Sequence, residues 1–273
     1  MKILLINSFD TRGGAAKAAR RLHEALNELY CENLMLVQHK ETNDPKIITE
    51  TNKVKIFLNF VISKLESILV KALFKDVNNY SFGLFSSIGI VKKINSIKPD
   101  VVHLHWTLNS MLSIKDISRI NAPVLWTMHD NWALSGGCHN LALCNNHSEI
   151  SHKCNKFFNI TFLRKKRAFS KKDNISFLSL SSWLFKLASE SELLKNKHHY
   201  NLPNPINTQT FLPIDQNFAR KNFNLPFNKK LIIYGALNGL NDPNKGFHLL
   251  RDCLKHIDNK DYELVIFGNL VNS

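Results

Sequence analysis

Two apolar segments of the chain each end in side chains that can bind a substrate or move a proton. The run Val101–Leu104 is followed by His105 and Trp106, and a second run is followed by His129 and Asp130. A histidine can donate to a sugar hydroxyl or a phosphate while it remains neutral near pH 7. In an open parallel α/β sheet, ligands bind beyond the carboxyl ends of the strands. These residues predict a small-molecule site; a histidine satisfied by the backbone is the alternative.

Two loops that contain glycine are candidates for binding phosphate. Gly13 and Gly14 lie between an apolar segment and a helical pattern, and Lys245 and Gly246 begin a second helical pattern. Backbone N–H groups at a helix N-terminus favour anions, and glycine lets a ligand come close to the backbone. The first loop is not a GxGxxG motif, and a plain turn fits it equally well. A helix cap with a solvated lysine is the alternative for the second loop.

A segment rich in cysteine and histidine lies beyond His129. Six possible zinc ligands occur within seventeen positions, namely Cys138, His139, Cys144, His147, His152 and Cys154. Sulfur and imidazole are typical zinc ligands. The segment has no CxxC pair, however, so we expect a loop or core lined by thiols and no metal site.

Two segments carry dense positive charge. Val54–Phe74 is a helical pattern flanked by lysines, and Arg164–Lys172 contains six basic residues. The apolar stripe of the first segment is Ile56, Phe57, Phe60, Val61, Leu65, Ile68, Leu69 and Leu73. We expect this stripe to pack on the sheet, and the basic run to be a solvated helix face. Docking on anionic lipid is the alternative, and it makes an anionic membrane surface a predicted partner.

Hydrophobic periodicity predicts an α/β protein with two domains. The strands predicted in the first domain are Lys2–Asn7, Leu34–Gln38, Val101–Leu104, Pro123–Met128, Ile175–Ser179 and His199–Leu202. With helices between them, they predict one complete Rossmann-like parallel-sheet domain over residues 1–203. A linker rich in proline then leads to an incomplete second domain over residues 204–273. That part contains strand Lys230–Gly235, helix Gly246–His256 and strand Glu263–Gly268.

Composition narrows the class of protein. The chain of 273 residues is 44% hydrophobic with 10 Gly and 8 Pro, which indicates a globular protein. Its formal net charge of +14 suits an anionic partner, but no nucleic-acid motif is present and we expect no nucleic acid. Five cysteines without a signal peptide indicate the cytoplasm. The longest apolar run is far below the roughly 20 residues that cross a bilayer.

Together, these segments resemble the retaining GT-B glycosyltransferases of family four, and among them a bacterial polysaccharide-assembly group. The matching stretches are NSFDTRGGAAKAARRLHEAL, VVHLHW, VLWTMHDNWALSGGCH, SLSSWLFKLASES, LPNPINTQTFLP and DPNKGF, in family order. The resemblance implies two Rossmann-like domains facing across a cleft. The first would hold mainly the acceptor and the second mainly a nucleotide sugar.

The resemblance also implies an activity and a place for each candidate residue. The enzyme would move a sugar from a nucleotide diphosphate sugar to a lipid-linked saccharide in surface polysaccharide synthesis, at the inner face of the plasma membrane. His129 matches the catalytic-site histidine that contacts the donor sugar. The implied donor-binding residues are Gly13, Gly14, Lys245 and Gly246, and the residues on the acceptor side or in the cleft are His105, Trp106 and Asp130. Such enzymes use no cofactor and no catalytic metal, and the leaving diphosphate accepts the proton of the acceptor.

Two departures from the family pattern affect what we expect. The related loops usually carry a fourth cysteine in a CxxCP pattern, which the stretch after Cys154 lacks. The family's paired glutamates, which hold the donor, would lie beyond Ser273. We therefore expect a chain with a truncated second domain and impaired donor binding. A non-catalytic remnant that binds an acceptor or a partner is the rival hypothesis.

Overall fold

The computed structural model of the chain describes residues 1–73, 80–140, 156–236, 240, 242–257 and 261–268. Within these residues the chain forms two compact units, Met1–Asn207 and Thr208–Ser273.

The first unit is built on a parallel sheet of seven strands. The strands are β1 (Lys2–Phe9), β2 (Glu32–His39), β3 (Ile47–Ile48), β4 (Val101–Leu104), β5 (Val124–Met128), β6 (Ile175–Ser179) and β7 (His198–Asn201). Their order across the sheet is β3-β2-β1-β4-β5-β6-β7, and every neighbouring pair is parallel. The predicted α/β class with one complete Rossmann-like domain is confirmed.

Helices connect these strands. They are α1 (Gly13–Glu28), α2 (Lys53–Leu73), α3 (Ile90–Ile97), α4 (Ile114–Ile117), α5 (Lys156–Ser170) and α6 (Ser182–Glu190). Central strands are buried on both faces, so their sequences are nearly continuous apolar runs. The largest group of buried side chains joins β4, β5 and β6 to α4 and α5, with Trp126, Phe162 and Phe177 among them.

The order of the strands creates a crevice between β1 and β4. The chain moves outward from β1 to β3 and then returns to place β4 on the other side of β1. Such a switch point is where open α/β sheets bind their ligands. The loop that contains Gly13 and Gly14 follows β1, and His105 and Trp106 follow β4, so both line the same crevice edge.

The structure adds local features that hydrophobic periodicity does not give. The segment before residue 52 contains the short edge strand β3, which pairs with Met35 and Leu36. Helix α3 begins at Ile90, because Gly89 has a left-handed backbone that no helix interior accepts. Helix α4 is a single turn capped by Ser113, whose hydroxyl accepts from the N–H of Asp116.

Helix α2 contradicts the predicted packing of its apolar stripe. Large apolar side chains of the stripe are exposed, at 48% for Ile56, 64% for Phe57 and 62% for Ile68. The two buried residues of the helix are polar, Asn59 and Glu66. Asn59 and Glu66 therefore attach α2 to the unit, together with Leu69, Val70 and Leu73, which pack against the cluster of Tyr80, Phe82, Cys138 and Phe158. Most of the other large apolar side chains of the helix are exposed.

The second unit is small. It contains α7 (Gln216–Asn222), β8 (Lys230–Gly235), a 3-10 turn (Pro243–Lys245), α8 (Phe247–Leu254) and β9 (Tyr262–Phe267). The two strands are parallel neighbours. In its described residues no apolar side chain is buried, and Arg220 is the single buried residue.

Candidate functional site

The structure brings His105, Trp106, His129 and Asp130 together at the carboxyl ends of β4 and β5. Nδ1 of His105 and Nε2 of His129 are 2.9 Å apart, and the two rings meet edge to edge with their centroids 5.2 Å apart. A small cavity of about 10 Å³ touches all four residues, which is room for about one water. Among the described residues, Nδ1 of His129 has no hydrogen-bond partner and is not fully enclosed.

Burial keeps the histidines of this site neutral. It lowers the pKa of His129 to about 4, although the carboxylate of Asp130 opposes the shift. Burial also lowers the pKa of His103 to about 4 and that of His105 well below its ordinary value. His129 is therefore a neutral hydrogen-bonding group near pH 7.

Asp130 belongs to a hydrogen-bonded chain with His139 and Ser81. Nδ1 of His139 lies 2.6 Å from Oδ2 of Asp130, and Nε2 of His139 lies 2.9 Å from Oγ of Ser81. Burial alone would raise the pKa of Asp130, but the hydrogen bond and charge of His139 and the N–H of Trp132 lower it. The indole N–H of Trp132 donates to the backbone oxygen of Ser81. The chain thus ties the loop after β5 to the segment before α3.

A buried lysine of α5 stabilises the same loop through hydrogen bonds and a contact with an aromatic ring. The ammonium of Lys165 lies 3.6 Å from the centroid of the Trp132 ring and donates to the backbone oxygens of Trp132 and Ser135. Burial lowers its pKa well below the ordinary value, against the attraction of Asp130. Lys165 was predicted as part of a solvated basic face, and that prediction is wrong.

The neighbouring basic residues are also used inside the unit. Arg164 donates to the backbone oxygens of Phe82 and Gly83, and Lys172 donates to those of Ile120 and Ala122. Lysine and arginine side chains satisfy carbonyls that loops leave unpaired. Of the six basic residues between 164 and 172, only Lys166, Arg167 and Lys171 are exposed.

The exit of β1 is fixed by buried polar side chains. Oδ1 of Asn7 accepts from the backbone N–H of Trp106, and Ser8 donates to the backbone oxygen of Leu108. Asp10 accepts from the N–H groups of Glu41 and Thr42 and from the Thr42 hydroxyl. Burial opposes ionisation of Asp10, but these hydrogen bonds lower its pKa. The stretch NSFD thereby sets the edge on which Trp106 lies.

A groove of about 730 Å³ lies between α2 and the carboxyl ends of β1 and β2. Its lining includes four cationic side chains, Arg12, Lys53, Lys64 and Lys93, and one carboxylate, Glu50. A row of rings connects this groove to the histidine site. The rings of His39 and Phe9 are 5.0 Å apart, those of Phe9 and Trp106 are 6.4 Å apart, and those of Trp106 and His139 are 6.3 Å apart.

The candidate phosphate loops occupy two different units. Helix α1 begins at Gly13, whose φ of +84° requires glycine, and Arg12 provides no side-chain cap. A Cβ at Gly14 would meet nothing within 4 Å, so neither crowding nor positive φ explains glycine there. In the second unit, exposed Lys245 ends the 3-10 turn and Gly246 is the left-handed N-cap of α8.

No group of three or more metal-binding side chains occurs within the described residues. Cys144, His147, His152 and Cys154 of the possible zinc set lie outside those residues. Of the helices in the described ranges, none is long and apolar enough to cross a bilayer.

Some residues of the site were not identified from the sequence. His103 stacks on His105 at 4.5 Å and hydrogen-bonds the Thr127 hydroxyl. The H-x-H spacing in VVHLHW was an available signal, because alternate residues of a strand share a face. Ser81 had no such signal, since its partner lies far away in sequence.

The fold is similar to that of solved structures of Alr3699/HepE from Anabaena. The complex with UDP and glucose has a TM-score of 0.51 and 12% identity, and the match covers 97% of this chain and 60% of that chain. The complex with UDP-glucose has a TM-score of 0.50 and 13% identity, with the same coverage. This chain therefore spans about 60% of the length of these proteins. No protein-family model matches the sequence, and no curated protein matches it. The likeness shows the fold; the function has to be argued from the site.

Proposed function

We propose that this chain acts as a retaining glycosyltransferase that moves a sugar from a nucleotide diphosphate sugar to a lipid-linked saccharide. The observation that carries the proposal is the position of His129, a neutral ring beside the switch point of the sheet with an accessible Nδ1. Two further facts support it. The resemblance to family four includes the residues around His129, and the similar HepE structures contain UDP with glucose, or UDP-glucose.

In this proposal His129 is the catalytic residue that hydrogen-bonds the transferred sugar. The N-terminus of α1 at Gly13 and Gly14 would receive the diphosphate, where the helix dipole and free N–H groups favour negative charge. Lys245 and Gly246 are the further donor-binding residues of the proposal. The bond between the anomeric carbon and the diphosphate breaks, and the acceptor oxygen bonds the same face of that carbon. The acceptor's proton passes to the leaving diphosphate, so no protein nucleophile or metal is required.

The groove under α2 is our candidate site for the acceptor. Four cationic side chains and one carboxylate line it, which suits the phosphate of a lipid-linked saccharide. Apolar side chains of α2, including Phe57 and Phe60, form part of the same lining and suit the lipid. The rings of Phe9 and Trp106 offer apolar surface to a saccharide that extends from the groove toward His129.

We further propose that α2 attaches the protein to the cytoplasmic surface of an anionic membrane. Its outward apolar side chains can enter the boundary between headgroups and acyl chains, while Lys53, Lys64 and Lys71 face anionic lipid. The basic residues of 164–172 were expected to share this role. Three of them are bonded within the unit, so we assign membrane contact to α2.

The test is transfer of radiolabelled sugar from several nucleotide diphosphate sugars to a bacterial lipid extract. It is done with this chain and with any longer form that its gene encodes. We expect His129→Ala to lower turnover by about 100-fold or more, the usual range for a group acting at the reacting centre, with little change in melting temperature. His198→Ala is the matched control, because His198 is exposed on β7. Equal losses of melting temperature and activity would make His129 structural, and donor or acceptor binding without transfer in every form would indicate a binding protein.

A further inference from the structure

Three histidine rings lie in contact behind the accessible face of the site. His105 lies between His103 at 4.5 Å and His129 at 5.2 Å, and both pairs are within 28° of parallel. His103 is anchored to the hydroxyl of Thr127, 2.7 Å away. The indole N–H of Trp126 donates to the backbone oxygen of His105. These contacts leave the ring of His105 little freedom to move.

The two ring nitrogens of His105 have different surroundings. Nδ1 faces Nε2 of His129 at 2.9 Å, whereas Nε2 is buried and has no hydrogen-bond partner in the described part of the chain. Each neutral imidazole carries one N–H, so one of the two rings must donate in this contact.

The buried Nε2 of His105 distinguishes the two possible directions of that hydrogen bond. If His129 donated, the proton of His105 would lie on Nε2 and would be a buried N–H without an acceptor. If His105 donates, Nε2 carries only a lone pair. Buried N–H groups without a partner are rarer in native proteins than acceptors without one. The second arrangement is therefore favoured.

We propose that His105 is a positioning residue that donates its Nδ1 proton to Nε2 of His129 and so places the proton of His129 on the accessible Nδ1. His129 then meets a ligand as a hydrogen-bond donor, which selects an oxygen lone pair such as that of a sugar hydroxyl or a phosphate. His105 itself is buried and touches no ligand. The role of this arrangement in sugar transfer rests on the proposed function. Which ring nitrogens of His105 and His129 carry the protons can be measured without turnover.

The first experiment is nuclear magnetic resonance of the chain with isotope-labelled histidine at neutral pH. Long-range proton–nitrogen correlations report which ring nitrogen carries the proton, and substitutions assign each signal. We expect the Nδ1–H form for both His105 and His129. A histidine side chain that is free in water favours the Nε2–H form, so an unrestrained ring would give the opposite result. A water in the small cavity that accepted a hydrogen bond from Nε2 of His105 would place the proton of His105 on Nε2 and make His129 the donor in their contact. Observation of His129 in the Nε2–H form overturns the proposal.

Amide substitutions separate positioning from packing. An asparagine amide can occupy the place of Nδ1, and a glutamine amide that of Nε2. His105→Asn should keep His129 in the Nδ1–H form, whereas His105→Gln and His105→Phe should give mixed forms. His103→Phe is the control, because it keeps a stacked ring and leaves the contact between His105 and His129 in place. Melting temperatures identify any variant that fails to fold, and the remaining variants then decide.

In a form with transfer activity, the same variants give a second readout. We expect His105→Gln to lower kcat about tenfold relative to His105→Asn, with KM little changed, because about one hydrogen bond is lost in the transition state. Equal kcat for the two variants overturns the positioning role. If no form transfers sugar, the proposed function fails while the resonance experiment still tests the inference.

Discussion

The loop after β5 and helix α2 use polar and apolar side chains in opposite ways. In the loop, Trp132 is buried and the carboxylate of Asp130 is hydrogen-bonded to His139, while the buried ammonium of Lys165 reaches the loop from α5. In α2, the apolar Phe57 is 64% exposed, while the carboxylate of Glu66 is buried and accepts from Ser110 and the N–H of Leu84. The loop is built as an extension of the core, and α2 is built to present apolar surface.

This difference fits the two kinds of contact proposed for the first unit. A site that selects among oxygen-rich ligands needs fixed donors, and buried hydrogen-bonded networks fix them. A surface that meets lipid needs exposed apolar area, and a helix can supply it only if something else attaches the helix. Asn59 and Glu66 supply that attachment here, through the N–H of Ile88 and the hydroxyl of Ser110.

A large effect on stability is expected from Lys165→Met. The variant leaves the backbone oxygens of Trp132 and Ser135 without their donor, and each buried unsatisfied group costs about 1–3 kcal/mol. We expect the free energy of unfolding to fall by about 3 kcal/mol in denaturant titration. Lys166→Met is the matched control, since Lys166 forms an exposed ion pair with Glu192 worth about 0–1 kcal/mol. Equal effects of the two substitutions would contradict the difference between loop and surface.

The opposite outcome is expected for the double substitution Phe57→Ser and Phe60→Ser in α2. Both rings are more than half exposed, so the free energy of unfolding should change by less than about 0.5 kcal/mol. Flotation with anionic liposomes should weaken by about 100-fold or more, because each phenylalanine loses about 1.5–3 kcal/mol of burial in lipid. Phe162→Ser, at a fully buried position, is the control and should cost about 3–5 kcal/mol of stability. Unchanged flotation of the double variant would remove α2 from the membrane contact.

The histidines of the site should make stability depend on pH. Burial lowers the pKa values of His103 and His129 from 6.5 to about 4, so the unfolded chain binds protons first as pH falls. Stability is full above about pH 6.5 and is lost progressively toward pH 4. Between pH 7 and 5 we expect about 2 kcal/mol of loss per histidine. His129→Gln should weaken the dependence of the free energy of unfolding on pH, whereas His198→Gln, at an exposed position, should leave it unchanged. Equal pH dependence in the two variants would contradict the lowered pKa of His129.

The elements of the first unit could largely be predicted from sequence, because buried parallel strands are continuous apolar runs. The run ending before His129 is an example. The exposure of the apolar stripe of α2 could not be predicted from the sequence. An apolar stripe has the same period whether it packs on a sheet or is exposed, and the partners of Asn59 and Glu66, which lie far away in sequence, decide which side of α2 is buried.

The polar network of the site was predictable only in part. His129 and Asp130 stand out because they follow a buried strand directly. Lys165 looked like one more surface charge, since its burial depends on the position of the Trp132 ring, a contact 33 positions away in sequence. Contacts between distant positions leave no local pattern, so a chemically important lysine and a solvated one have the same sequence signature.

The smallest effect is expected for Ser81, at one end of the series of hydrogen bonds that connects it through His139 to Asp130. Ser81→Ala removes one hydrogen bond, 2.9 Å long, to a ring that remains bonded to Asp130. Both Ser81 and His139 are only partly buried, so water can take the place of the hydroxyl. We expect a loss of about 1 kcal/mol in the free energy of unfolding. Ser96→Ala on the exposed side of α3, where the hydroxyl bonds only the oxygen of Lys93, is the control and should change stability by less than about 0.5 kcal/mol. A loss above about 3 kcal/mol for Ser81→Ala would mean that the hydrogen bonds from Ser81 through His139 to Asp130 stabilise the whole loop cooperatively. The loop would then depend on a single hydroxyl as strongly as on Lys165.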